Sequence, residues 1–243
     1  MIYTVSNMWP TSNKPSFGVF VARIHKSIDC DKNTIILRQA KKNSYKFLFY
    51  FLFYMQQIIH YYRSKPSDIF LVHYISLSGI GLVVARYIFR GRGKLVGFCH
   101  GSDLKFSKGG VKEYLLSKFT NFFLRASDAC ICPSEYLYTE LIEVYRYEKD
   151  ILVSPSGGVP KYMFSENSIF GRKYLFGYIG RISKDKGSFD FLEAMCMIKS
   201  DLPEDSILLL GTVENTRELE RYKNKLGSKI KIVSALPHAE LSD

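Results

Sequence analysis

The segment Gly177-Tyr-Ile-Gly-Arg-Ile-Ser-Lys-Asp-Lys-Gly187 combines the residue types that anion chemistry needs. The apolar run from Tyr174 to Ile179 reads as a buried strand that breaks at Gly180, and Ser188 to Lys199 reads as the helix that follows. Two long cations, Arg181 and Lys186, therefore stand between a strand end and a helix start. Glycine there admits close backbone approach, and open amides favour negative charge. A guanidinium and an ammonium at that spot suit a diphosphate. An ordinary βα loop with solvated cations has the same spacing, and a short motif does not separate the two.

The elements that must position this loop follow from short apolar runs alternating with longer amphipathic ones. Strands are expected at Ile2–Val5, Thr34–Leu37, Ile69–His73, Lys94–Phe98, Ala129–Cys132 and Asp150–Val153, then at Tyr174–Ile179, Ser206–Leu210 and Lys229–Val233. Helices are expected between them, at Val19–Ile28, Tyr45–Arg63, Gly79–Phe89, Val111–Ala126, Glu135–Tyr145, Ser188–Lys199 and Glu214–Leu226. Such alternation predicts an α/β protein of doubly wound parallel sheets. Residues 1–160 read as one Rossmann-like domain, 161–173 as a linker entered through Ser154-Pro-Ser-Gly-Gly-Val-Pro160, and 174–243 as a second, incomplete domain. In the helix at 111–126, Val111, Leu115, Phe119 and Phe122 share one face. The aromatic run from Tyr45 to Met55 fits a core helix; flanking Lys41, Lys42, Lys46, Arg63 and Lys65 also fit a membrane-surface helix.

Composition narrows the classes. No apolar run reaches the roughly 18 residues of a membrane span, and the N-terminus opens as a strand without the features of a secretion signal. The five cysteines form no Cys-x-x-Cys pair; Cys130 and Cys132 read as buried apolar side chains rather than metal ligands, and a reducing cytoplasm is the expected location. Residues 1–165 carry 22 Lys and Arg against 11 Asp and Glu, whereas residues 166–243 carry 12 of each, so the net +11 lies in the first two thirds. Nucleic acid, an anionic membrane surface, a phosphorylated substrate or a merely Lys-rich surface each accounts for that excess. No Arg/Lys-rich helix or nucleic-acid motif is present, so nucleic acid is not expected as a partner.

Several landmarks occur in order: Pro15-Ser-Phe-Gly-Val-Phe-Val21, Asp68-Ile-Phe-Leu-Val-His73, His100-Gly-Ser-Asp-Leu104, Val153-Ser-Pro-Ser-Gly-Gly-Val159, the 177–187 segment, Phe191-Leu-Glu-Ala194, Leu210-Gly-Thr212 and Pro237-His-Ala-Glu-Leu241. Together they resemble the retaining nucleotide-sugar glycosyltransferases of glycosyltransferase family 4. That resemblance covers the whole chain and implies the GT-B fold, two Rossmann-like domains facing a cleft. The donor would be held mainly by the second domain and the acceptor by the first. It implies Arg181 and Lys186 on the donor diphosphate, His100 lining the donor sugar, and Gly18 and Gly180 close to the phosphate or acceptor. Asp103 would orient an acceptor hydroxyl or cap a turn, and His238 would border the nucleotide pocket. His73 and Glu193 match recurrent positions, with structural roles favoured. No metal is implied, in keeping with the missing Asp-x-Asp pair. No cofactor is implied beyond a UDP- or GDP-linked sugar donor as substrate.

The sequence departs from the family in two places. Ser156-Gly157-Gly158-Val159-Pro160 stands where the family has Asn-Gly-Val-Asp, and the chain ends before the expected Glu-x7-Glu segment. About two thirds of an enzyme is therefore expected, with activity of this truncated form in doubt. The function implied is sugar transfer to a glycan or lipid-linked acceptor in polysaccharide or O-antigen-type biosynthesis, peripheral to the inner face of the cell membrane. The rival readings are a non-catalytic nucleotide- or polyanion-binding protein and another GT-B enzyme such as a nucleotide-sugar epimerase.

Overall fold

The computed structural model describes residues 1–12, 14, 17–38, 45–105, 110–155 and 173–236. It divides into two units, Met1–Gly158 and Val159–Asp243.

The first unit is built on six strands: β1 (Ile2–Ser6), β2 (Lys32–Ile36), β3 (Ile69–His73), β4 (Lys94–Phe98), β5 (Ala129–Cys132) and β6 (Asp150–Val153). They form one parallel sheet in the order β2-β1-β3-β4-β5-β6. The apolar runs end up where a doubly covered sheet requires them. Val5 faces Ile35 on one side and Val72 on the other, and none of the three has exposed surface.

Among the described residues six helices connect the strands: α1 (Val19–Ser27), α2 (Lys46–Arg63), α3 (Ile75–Ser78), α4 (Ile80–Ile88), α5 (Val111–Ala126) and α6 (Glu135–Glu143). Right-handed crossovers, the rule for parallel strands, put α1 on one face of the sheet and α2, α4, α5 and α6 on the other. The extra turn α3, not expected from the sequence, precedes the helix at 79–89. Ser134 caps α6 as its position implies, its side chain accepting from the Leu137 amide.

Two of these helices bury less than their composition implies. In α2 only Phe53, Gln57 and Tyr61 are buried, one stripe at helical spacing. Gln57 Oε1 accepts from the Leu82 amide, satisfying an open donor in the first turn of α4. Gly81 lets that turn close on α2, since a Cβ there would lie 2.6 Å from the Tyr54 carbonyl oxygen. In α5 the buried side chains are Thr120, Phe123, Leu124 and Ala126, while the stripe of Val111, Leu115, Phe119 and Phe122 faces outward. That stripe carries the helical period, but the sheet takes the neighbouring face. The reason lies in β4, where Gly97 lacks a side chain and the Phe123 ring fills the space.

The second unit has three parallel strands in sequential order, β7 (Phe176–Ile179), β8 (Ile207–Gly211) and β9 (Ile230–Ser234), connected by α7 (Ser188–Met197) and α8 (Thr216–Leu226). Its separate core includes Ile182, Phe189, Leu192, Ile207, Leu209 and Leu219. Helix α8 starts two residues later than expected because Asn215 caps it, accepting from the Glu218 amide at 3.2 Å. Among the described residues no helix is long and apolar enough to cross a membrane.

Candidate active site

In both units the candidate residues lie beyond the carboxyl ends of the strands, where open α/β sheets bind ligands. In the second unit the chain leaves β7 and keeps pairing with the end of β8: the Gly180 amide donates to the Leu210 carbonyl and the Ile182 amide to the Thr212 carbonyl. This continuation depends on Gly211, because a Cβ there would fall 1.6 Å from the Gly180 carbonyl oxygen. Tyr178 closes the loop. Its hydroxyl lies 2.9 Å from the Arg181 carbonyl and 3.2 Å from the Lys186 carbonyl, so both cations hang from backbone tied to one side chain. Gly187 then starts α7.

Arg181 and Lys186 are both exposed. Arg181 is held by two carboxylates, Asp185 at 2.7 Å and Glu214 at 3.0 Å. The Ser183 hydroxyl donates to Asp185 at 2.6 Å, and this bond, with the nearby Arg181 and Lys186 charges, keeps that carboxyl below its ordinary range. Arg181 is thereby aimed by its neighbours, and an anion at the loop would exchange with those carboxylates. Glu193 is exposed, 4.0 Å from Lys225. His238 and the segment 156–172 lie outside the described residues.

In the first unit a buried histidine pair sits at the ends of β3 and β4. His73 has no exposed surface, and its Nδ1 lies 3.0 Å from His100 Nε2. His73 Nε2 is buried without a partner. The tautomer that leaves no buried N–H unmet has His73 Nδ1–H donating to His100 Nε2, so the His100 proton resides on Nδ1. Rings enclose His100: Phe98 stacks at 5.0 Å, Tyr74 at 4.7 Å, and Phe20 of α1 lies tilted at 4.8 Å. Burial pushes His100 down to about 4, and burial together with the neighbouring His100 and His25 pushes His73 down to about 3. Both imidazoles are neutral near pH 7, and His100 offers a hydrogen bond rather than a charge.

Asp103 is 1% exposed. Its carboxylate accepts from the Ile75 amide at 3.2 Å and the His100 amide at 2.8 Å, so it fixes the two loops that carry the histidines. Of its two expected roles, the geometry matches turn capping. Burial outweighs the backbone donors and raises its carboxyl to about 6. Gly18 takes φ 75° at the start of α1, and a Cβ there would lie 2.7 Å from the Met8 carbonyl carbon. Its missing side chain makes room for the Met8–Trp9 backbone. Tyr178 and Tyr74 were not singled out by sequence reasoning; Tyr178 stood inside the quoted motif, while nothing in the sequence marks Tyr74, whose φ of 58° appears only in the fold.

Cys130 and Cys132 are buried, and among the described residues no group of three or more His, Cys, Asp or Glu side chains is placed to hold a metal ion.

Two solved structures share this fold. A UDP-N-acetylglucosamine 2-epimerase superposes with a TM-score of 0.56 at 10% identity, over 100% of this chain and 70% of that one. The S. aureus MnaA structure with UDP gives a TM-score of 0.58 at 12% identity, over 98% of this chain and 69% of that one. The architecture is thus that of the GT-B enzymes, with a six-stranded and a smaller parallel sheet. No curated protein sequence matches significantly. Residues 20–157 match the family described as Glycosyltransferase Family 4. That match takes in more than half of the chain, including α1, the histidine pair and Asp103, and the chain belongs to this family.

Proposed function

We propose that this protein is a retaining glycosyltransferase, moving a sugar from a UDP- or GDP-linked donor to a glycan or lipid-linked acceptor in polysaccharide-type biosynthesis. The observation that carries the reading is the loop after β7, where Tyr178 and Gly211 fix the backbone that presents Arg181 and Lys186. As the sugar–oxygen bond breaks, negative charge grows on the leaving phosphate. Cations already held in place stabilise that state more than the ground state. Asp185 and Glu214 keep Arg181 ordered until the diphosphate takes their place. In the first unit, neutral His100 with its proton on Nδ1 is suited to donate to a sugar hydroxyl. The charge excess of residues 1–165 supports work at an anionic cytoplasmic membrane face.

Titration of the whole chain with UDP tests the reading. Arg181→Ala and Lys186→Ala should each weaken binding, and Arg181→Ala should lower donor turnover by about 100-fold, the scale of one pre-organised charge contact. UDP binding unchanged in both variants overturns the assignment. A product sugar of inverted anomeric configuration overturns the retaining mechanism, and donor epimerisation without an acceptor points to the other class of GT-B enzyme.

A further inference from the structure

The outward faces of α4 and α5 enclose an apolar groove of about 260 Å³, lined by Ile80, Val83, Val84, Tyr87, Phe119 and Phe122 among others. At the carboxyl end of α4 lies a second cavity of about 610 Å³. Tyr87 lines both. The second cavity is cationic: Arg86, Arg90, Arg92, Lys94 and Arg125 surround it against a single carboxylate, Asp128. Arg86 already holds Asp128 through two bonds of 2.6 Å, and among the described residues Arg90, Lys94 and Arg125 are in no ion pair with a carboxylate. Large apolar side chains stand bare around the groove, with Val84, Tyr87 and Phe122 exposed by 44%, 61% and 51%. Beside α4, α2 adds Phe47 and Phe51, exposed by 84% and 52%.

An apolar groove and a basic cavity that share Tyr87 match an amphiphile with an anionic head. We propose that this face binds an anionic phospholipid of a bilayer, phosphate in the Arg90–Arg125 cavity and one acyl chain in the α4–α5 groove, seating the first unit on the membrane. A second copy of the chain fits poorly, since it would bring a +11 protein's own basic face against this one. The bound lipid is an anchor and not an acceptor. Gly93, Lys94 and Asp128 place the cavity at the amino ends of β4 and β5, whereas His73 and His100 lie at the carboxyl ends of β3 and β4. The inference deepens the membrane contact proposed above and rests on that part of the reading alone. Vesicle binding needs no donor, so its failure leaves sugar transfer standing.

The test is flotation of the full chain with phosphatidylcholine vesicles, with and without phosphatidylglycerol. The protein should float with the anionic vesicles and be released by salt. Arg90→Ala/Arg125→Ala should lower partitioning roughly 30-fold, from about 1 kcal/mol per surface cation. Val84→Asp/Phe122→Asp, which leaves the cations in place, should lower it at least as far. All four positions are solvent-facing, and a thermal melt matching the parent shows the variants folded. Anionic binding that neither double variant weakens removes this site while leaving membrane contact intact. No binding by the parent removes both. A dimer in solution that Val84→Asp/Phe122→Asp breaks, with no vesicle binding, assigns the face to a second copy and overturns the proposal.

Discussion

At the scale of single residues, the histidine pair and Asp103 pull stability in opposite directions with pH. His73 and His100 sit at about 3 and 4 in the folded chain, below the ordinary imidazole value of 6.5. Between those limits the unfolded chain binds protons that the folded one refuses, so their contribution grows as pH rises and is lost as it falls. Asp103 is raised from 3.8 to about 6, so the folded chain keeps a proton there and its contribution fades as pH rises through that window. From pH 4 to 6 the two imidazoles outweigh the one carboxyl. Urea unfolding across this range should show stability increasing with pH. His73→Phe should flatten the slope by about 1.4 kcal/mol per pH unit, the value of one proton; an unaltered slope would show that His73 titrates normally. The sequence made Arg181, Lys186 and His100 legible because strand–glycine–cation and strand–histidine patterns are local. It did not show that Arg181 is held by Glu214 or that His73 fixes the His100 tautomer. Those partners lie 33 and 27 residues away and meet only through the sheet.

At the scale of elements, the nine expected strands are found with ends shifted by no more than two residues. But β7, read as buried, leaves Phe176 and Ile179 exposed because only β8 pairs with it among the described residues. The parallel pairing follows from the helices between them. Which helix face turns inward was less legible. In α5 the period marked the face of Val111, Leu115, Phe119 and Phe122, whereas Gly97 on β4 draws the neighbouring face inward by admitting Phe123. In α2 the aromatic content hid a buried stripe of only three side chains. Gly211 carries an element-level prediction. Gly211→Ala sets a methyl against the Gly180 carbonyl, so β7 and β8 must part at their ends. The second unit should lose about 1–3 kcal/mol in urea unfolding followed by circular dichroism, the range for overpacking. UDP binding should weaken in the same variant, because the cation loop starts at that contact. Parent-like stability would mean that the strand ends already stand apart.

At the scale of the molecule, two separate cores should unfold as two cooperative units. Among the described residues the first core counts twenty buried hydrophobics and the second ten. The chain's one tryptophan, Trp9, sits in the first unit, edge-on to His25 at 5.8 Å. Fluorescence therefore reports the first unit, while circular dichroism reports both. In a denaturant series the dichroism should begin to change at lower concentration than the indole emission, since the smaller core gives way first. Coincident curves would show one cooperative body. The docking of α2 on Gly81 also has a consequence for synthesis. On the ribosome, the aromatic stretch from Tyr45 to Tyr62 emerges ahead of β3 and α4, and until Gly81 follows, its buried stripe lacks the α4 backbone that covers it. The nascent chain thus passes through an interval in which part of that stripe stays exposed and open to chaperones.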